Sequence, residues 1–575
     1  MKPNMQVDLL IIGMGAAAQL AAIYAYDADP SLNILIATKA LKGKGGCSRM
    51  VQGGCNVVLD PGDSHEKHFM DTLTGGQYIN DQELALTLVE QATPTVKELE
   101  TIYGCFFDRF PDGRIHQKPF AGQSFDRTVH KADLTGIEII SRITEQVFKR
   151  RIPVLEETRA VELLLDKDGK TVTGALFYST RTGKFFTVEA AATMVATGGG
   201  PTQYRLHAPG PEKTADGIAM LYRAGCRMRD MEMVQFHPTG LIVAGSVIAG
   251  ALLEEGLRGA GAHLYNGEGE RYMLRYAPDV AERATRDVVS RSAYLEMLAG
   301  RAAPEGGVRI DAAHMGAEFV LAQFPGMAER CAQFGYDLAR GMVPIFPTAH
   351  YFMGGAVIDK DCHGPLEKLF VAGEDAGGVH GANRLGGNGI CESCVYGRQA
   401  GKSLARYLSK PENRKVKESA PGMAKDIQAR LVEPLSRKGG RSPLEIRRDL
   451  QEVNWLKVGI VRNKTDLEAA MGEFASLRDE LSSVGIEGSR VYNMVYGVYL
   501  DTMNLIDASV MVAASALERD ETRGAHARSD FPEQRDEYGL FNIFMLRGPD
   551  GLPVLEKRDV AFTHKSLETC QQYRK

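Results

Sequence analysis

Val7-Asp-Leu-Leu-Ile-Ile-Gly13-Met-Gly15-Ala-Ala-Ala18 decides the fold of this chain. An apolar, β-prone run stops at glycine, and a turn of glycine and alanine follows. Ala16 to Asp27 carries a helical pattern, and Asn33-Ile-Leu-Ile-Ala-Thr38 reads as a second strand. Residues 7–38 therefore predict a βαβ unit. Within it, Gly13-Met-Gly15-Ala-Ala-Ala18 is the G-x-G-x-x-G/A fingerprint. Gly13 makes the tight turn. Gly15 lets a pyrophosphate approach main-chain amides at the helix start, and the small Ala18 permits close packing of helix on strand. A dinucleotide-binding fold is expected at the start of the chain.

At 575 residues the chain is too long for one hydrophobic core, so two to four domains are expected. Its 44% hydrophobic and 25% charged content is that of an ordinary globular protein. A net charge of −5 without a basic tract argues against nucleic acid or direct membrane contact. No uninterrupted apolar run reaches the roughly 18 residues of a spanning helix. Met1 to Val7 leads straight into a strand, leaving no room for a signal peptide. Nine scattered cysteines, an odd number, fit reduced thiols in a cytoplasm. Cys391-Glu-Ser-Cys394 is the single C-x-x-C. Lacking a second ligand pair, it reads as two cysteines on a buried helix, and no metal site is expected.

Beyond the first unit, helices are predicted at about 82–104 and 133–150. Short strands follow at 153–157, 160–165, 172–179 and 185–190, then a buried strand at 192–198. Val195-Ala-Thr-Gly-Gly-Gly200 gives that strand a glycine ending, and Phe370-Val-Ala-Gly-Glu374 gives another. The second opens a turn, Asp375 to Gly389, that exposes one arginine, Arg384. Glycine there lets a flat or charged ligand reach the main chain. The fold class is α/β: a discontinuous Rossmann-like cofactor domain (1–240 and 344–421) with an inserted α+β capping domain (241–343). A helical bundle (422–529) and a small C-terminal segment (530–575) follow.

The second strand ends Ala37-Thr38-Lys39, where a nicotinamide site would need an acidic residue for the ribose. A flavin site tolerates a Thr-Lys ending, and Glu374 offers a carboxylate elsewhere.

Five further motifs are in order: Gln235-Phe-His-Pro-Thr-Gly240, Leu253-Glu-Glu-Gly-Leu-Arg-Gly259, Glu282-Arg-Ala-Thr-Arg-Asp-Val-Val-Ser-Arg291, Pro347-Thr-Ala-His-Tyr-Phe-Met-Gly-Gly355 and the Arg384 turn. With these the chain resembles the flavoprotein subunit of succinate dehydrogenase and fumarate reductase, a superfamily that includes L-aspartate oxidase. The resemblance implies that His237, His350 and Arg384 hold substrate carboxylates. It makes Arg286 the proton donor or acceptor, with Glu255 and Arg258 as its relay. The loop Gln117-Lys-Pro-Phe-Ala-Gly122 would set Phe120 against the substrate. FAD would be held by Gly13, Gly15, Ala16, Ala18, Thr38, Lys39, Cys47, Ser48, Gly53, Gly54, Asp216, Glu374, Gly389 and Ile390. The chemistry suits these residue types: a flat dianion needs cationic or donor groups at both ends, and arginine matches a carboxylate bidentately.

What the resemblance implies further is fumarate–succinate interconversion by hydride transfer at FAD N5. An iron–sulfur partner, and beyond it a membrane anchor subunit, would exchange the electrons. The location would be cytoplasmic, or the cytoplasmic face of the inner membrane through such partners. The alternative within the superfamily is an amino-acid oxidase making iminoaspartate and hydrogen peroxide. The alternative outside enzymology is an FAD-bearing scaffold, which has no need of two His and three Arg at substrate-type turns.

Two departures stand out. Aligned on Gln52-Gly53-Gly54, Cys47 occupies the position of the family's flavin-linking histidine, so FAD is expected to be non-covalent. Glu254 stands where the family has threonine beside the substrate. A carboxylate facing a dianion costs affinity unless protonated or turned aside. Either it points away, or the preferred acid is not plain fumarate or succinate.

Overall fold

The computed structural model describes residues 5–208, 210–246, 248–536 and 540–574. The four N-terminal residues of the signal-peptide reading lie outside them.

The apolar run at the N-terminus becomes the strand Met5–Ile12 in the middle of a seven-stranded sheet. It pairs in parallel with Ile34–Ala37 on one side and with Phe185–Val195 on the other. Gly13 ends it at φ +118°, and a β-carbon there would fall 2.0 Å from Ala196 O. Only glycine fits that turn. The helix Ala16–Ala28 then packs against the long helix Asn388–Leu408. Their approach is close because Gly397 and Gly401 face Ala17 and Ala21; a β-carbon at either glycine would meet that backbone at 2.7 and 2.6 Å.

The two strands expected at 185–190 and 192–198 are one, Phe185–Val195. Its first half pairs antiparallel with Val172–Ser179, while its last three residues pair in parallel with Leu369–Val371. One strand changes neighbours along its length, so its two halves read differently in sequence. The pairing with Leu369–Val371 brings the Gly373–Arg384 segment back to the first glycine turn.

Val234–Leu241 and Met342–Phe352 pair antiparallel and carry the chain into and out of a second apolar core. That core is built from Leu253, Leu257, Leu264, Val289, Ile310 and Ile345, all buried. The boundaries expected at 240/241 and 343/344 fall inside these two strands.

Helices Met423–Val432, Pro443–Lys457, Lys464–Ser483 and Met494–Glu518 form the following helical region. The last is long and apolar enough to cross a membrane by composition alone, yet 83% of its most apolar stretch lies inside the protein. Its Asp501 and Asp507 accept ion pairs from Arg159 at 2.7 Å and Arg223 at 2.8 Å. It is the core helix of this region.

The chain closes with a hairpin, Phe541–Arg547 and Pro553–Asp559, added to Met228–Arg229 and Gly355–Ala356. Buried Arg519 ties helix end to hairpin, donating to Glu232 at 2.7 Å, Glu521 at 3.0 Å and Phe541 O at 3.1 Å.

Candidate active site

Two cavities meet in the cofactor domain. A groove of about 120 Å³ runs past Gly13, Gly15, Ala16, Thr38, Lys39 and Asp216. A cavity of about 490 Å³ is lined by Phe120, His237, Glu254, Glu255, Arg286, His350, Arg384, Gly53, Gly54, Gly389 and Ile390. Cys47, Ser48, Lys213, Glu374 and Ser393 line both, so the two are one continuous space.

The groove suits a dinucleotide. The helix Ala16–Ala28 has no acidic residue in its first turn and its N-cap, Gly15, has no side chain to cap it; Ser48 Oγ accepts from Ala16 N at 3.2 Å. Its dipole is left to an anion. Ala18, fully buried, lines neither cavity; its small size serves packing. Lys39 turns to Asp216, Nζ to Oδ2 2.6 Å, and Arg159 reaches Asp216 Oδ1 at 2.5 Å. Burial raises the Asp216 carboxyl, but Arg159 and Lys39 outweigh it and hold it well below the carboxylate range. Glu374 is ion-paired to Lys213 and accepts from Phe352 N at 2.9 Å. Burial pushes its carboxyl up despite that lysine. Cys47 sits where groove and cavity join, and burial pushes its thiol up to about 11.

In the cavity the distant motifs converge. His237 and His350 lie on the paired strands with ring centroids 5.4 Å apart. Burial first, then Arg286 near His237 and Arg384 near His350, holds both imidazoles well below 6.5. They are neutral donors or acceptors at ordinary pH. Arg286 Nε donates to Glu255 Oε2 at 2.6 Å. Arg258 Nη2 lies 3.9 Å from the other Glu255 oxygen, and its Nη1 donates to Glu282 O. Arg258 does not line the cavity, so it stands behind Glu255. Burial raises the Glu255 carboxyl, but Arg286 and Arg258 bring it below the glutamate value. Burial and Arg286 lower Arg384 to about 10.

Several partners were not singled out from sequence. Gln235 Oε1 accepts from Arg286 Nη1 at 3.0 Å and Arg384 Nη2 at 3.1 Å, while its Nε2 donates to Arg384 O at 2.7 Å. Strand period two puts Gln235 on the face of His237, a signal that was available. Arg384 stacks 4.5 Å over the Tyr351 ring, whose hydroxyl donates to Glu392; His380 meets the same carboxylate at 3.0 Å. Lys118 lies in the quoted loop Gln117–Gly122 without having been given a role, and nothing local in sequence marks Lys213 or Arg159.

Glycines shape the space. A β-carbon at Gly53 would meet Phe120 Cζ at 2.6 Å, and one at Gly386 would meet Glu255 Oε2 and Phe120 Cδ2, each at 2.6 Å. Of the two alternatives for Glu254, a side chain turned away and a preferred acid other than fumarate or succinate, the first does not match its position. Glu254 lines the cavity, and its Oε1 is 2.7 Å from Lys118 Nζ.

Comparison with known proteins gives the same reading. Residues 8–390 match the FAD binding domain family, and residues 447–573 match the fumarate reductase flavoprotein C-terminal family. The CoM/CoB-type fumarate reductase protein of Methanothermobacter marburgensis is 39% identical over 93% of this chain and 96% of its own. The Haemophilus influenzae fumarate reductase flavoprotein subunit is 31% identical over 97% and 95%. Among solved structures, the FrdA chain of E. coli quinol fumarate reductase superposes with a TM-score of 0.91 at 30% identity, covering 98% of each chain. The chain belongs to the fumarate reductase and succinate dehydrogenase family of FAD-dependent flavoprotein oxidoreductases.

Proposed function

We propose that the protein is the flavoprotein subunit of a fumarate reductase-type enzyme, interconverting fumarate and succinate or a related C4 dicarboxylate. The observation that carries this reading is the Gln235 carboxamide joining Arg286 and Arg384 beside two neutral histidines, in a cavity continuous with the dinucleotide groove. FAD, when bound, supplies hydride chemistry at its N5.

The chain's own residues do the rest. Arg384 and His350 grip one carboxylate, and His237 donates to the other. Arg384 is oriented by the Tyr351 face and by Gln235, so its fork is fixed before substrate arrives. Drawing charge onto the first carboxylate makes the alkene carbon electrophilic. Arg286 gives the proton to the neighbouring carbon. Glu255, 2.6 Å from Arg286 Nε, is ionised while both arginines are charged; once Arg286 has given up its proton, Glu255 takes one from water and passes it to the neutral arginine, with Arg258 behind it. Phe120, boxed by Gly53 and Gly386, excludes water from the reacting face.

Cys47, with its thiol held protonated, is a poor nucleophile, which supports non-covalent FAD. Acid denaturation should release the yellow colour from the polypeptide; flavin staying with the protein refutes this. The relatives are named as subunits, which supports electron exchange with a partner. Those names also favour this reading over an amino-acid oxidase.

The test is anaerobic oxidation of reduced viologen by fumarate with the purified protein. No oxidation driven by fumarate or by any related C4 enoate, with a protein carrying its flavin, overturns the proposal.

A further inference from the structure

Glu254 and Glu255 are neighbours with opposite tasks. Glu255 turns to Arg286, whereas Glu254 turns to Lys118 on the loop strand Gln117–Lys118. Lys118 Nζ lies 2.7 Å from Glu254 Oε1 and 5.6 Å from the Phe120 ring. Glu254 lines the cavity and Lys118 does not, so the carboxylate faces the guest with the ammonium behind it. Among the described residues the Glu254 carboxylate has no partner beyond this ion pair, although the residue is only 4% exposed. Its Oε1 lies 3.4 Å from where a Gly53 β-carbon would be, beside Phe120.

The cavity is therefore polarised. Arg384, Arg286 and His350 make one part of the wall cationic or donating; Glu254 makes another an acceptor. A threonine at this position would donate its hydroxyl to a substrate carboxylate. An ion-paired glutamate only accepts. Even with Lys118 behind it, Glu254 offers a second carboxylate only lone pairs and no donor, whereas an N–H or O–H satisfies Oε2, which otherwise stays unpaired.

Building on the fumarate reductase reading, we propose that Glu254, held by Lys118, is a specificity-determining residue selecting an α,β-unsaturated acid with one carboxylate and an uncharged hydrogen-bond donor, an amide N–H or a hydroxyl, at its far end. The alkene, the hydride acceptor carbon and the Arg286 proton are those of the fumarate reaction; only the far group differs.

The experiment compares fumarate with fumaric acid monoamide as oxidants of reduced viologen in wild type, Glu254→Thr and Glu254→Gln. One hydrogen bond to a charged acceptor implies that the monoamide-to-fumarate ratio of kcat/KM drops by about tenfold or more in Glu254→Thr. Glu254→Gln should recover fumarate turnover while keeping much of the monoamide rate, because its amide oxygen still accepts. Should a variant misfold, flavin absorbance titrations of the wild type with succinamate and succinate supply the ratio, succinamate binding tighter. Fumarate reduced well with a ratio moving less than about twofold, or succinate the tighter ligand, overturns the specificity role and leaves the parent reading intact. Wild type reducing neither compound overturns both.

Discussion

Glu255 Oε2 lies 2.6 Å from Arg286 Nε, and both side chains are buried. A guanidinium is a weak acid because it holds its proton tightly. Glu255 is held ionised by Arg286 and Arg258 in the resting site; when Arg286 loses its proton and charge, the carboxylate can take a proton from water and relay it to the arginine.

Glu255→Gln keeps the shape and removes that function. General acid–base losses of about 10²–10⁴ in kcat are expected, with KM for fumarate changing much less. Steady-state viologen kinetics give both numbers. A KM effect without a kcat effect would assign Glu255 to binding instead.

Gln235 is the shared acceptor of two guanidinia at 3.0 and 3.1 Å. Gln235→Met leaves Arg286 and Arg384 facing each other without it. Lost bonds to charged groups at about 1.5–3 kcal/mol predict a fall of roughly 10- to 100-fold in kcat/KM, expressed in KM as Arg384 loses its alignment. Titration with a non-reacting dicarboxylate, followed by flavin absorbance, should show weakened binding of similar size.

The pH profile follows from burial. His237 and His350 are held well below 6.5, so each is neutral from pH 6 to 8. A group with a lowered pKa gains its proton only as pH falls past that lowered value. The kcat/KM profile should therefore lack an acidic limb centred near 6.5. A histidine-like limb there would show that one of them is charged in the free enzyme.

Arg519 is fully buried among Glu232, Asp230 and Glu521. Arg519→Met strands Glu232, while Glu521 keeps Arg523 and Asp230 keeps Arg229 and Ile543 N; breaking a buried ion pair costs about 3–5 kcal/mol. Thermal unfolding should begin at markedly lower temperature in Arg519→Met. Because Arg519 lines neither the groove nor the cavity, the variant's KM for fumarate at low temperature should stay near wild type.

How much of this was legible in the primary structure depends on range. Val7 to Ala18 announces the βαβ unit because strand apolarity, the glycine turn and the small Ala18 are all local demands, met within a dozen residues. His237, His350, Arg286 and Arg384 were nameable because each sits in a motif that resembles the family's, and the fold brings all four to one cavity. The single strand Phe185–Val195 was not legible, since its two halves take different neighbours.

Residues alone determined the fold class and the dinucleotide-binding turn, because those rest on periodicity and glycine geometry; the candidate site residues came from the resemblance of their motifs to the flavoprotein family. The tertiary structure alone decided who touches whom. Gln235 reaching Arg384 across 149 positions, Lys118 neutralising Glu254, and Asp216 answering Lys39 are contacts between segments that sequence order keeps far apart. Their energies arise only when strands such as Val234–Leu241 and Met342–Phe352 fix the register, and no local pattern encodes that register.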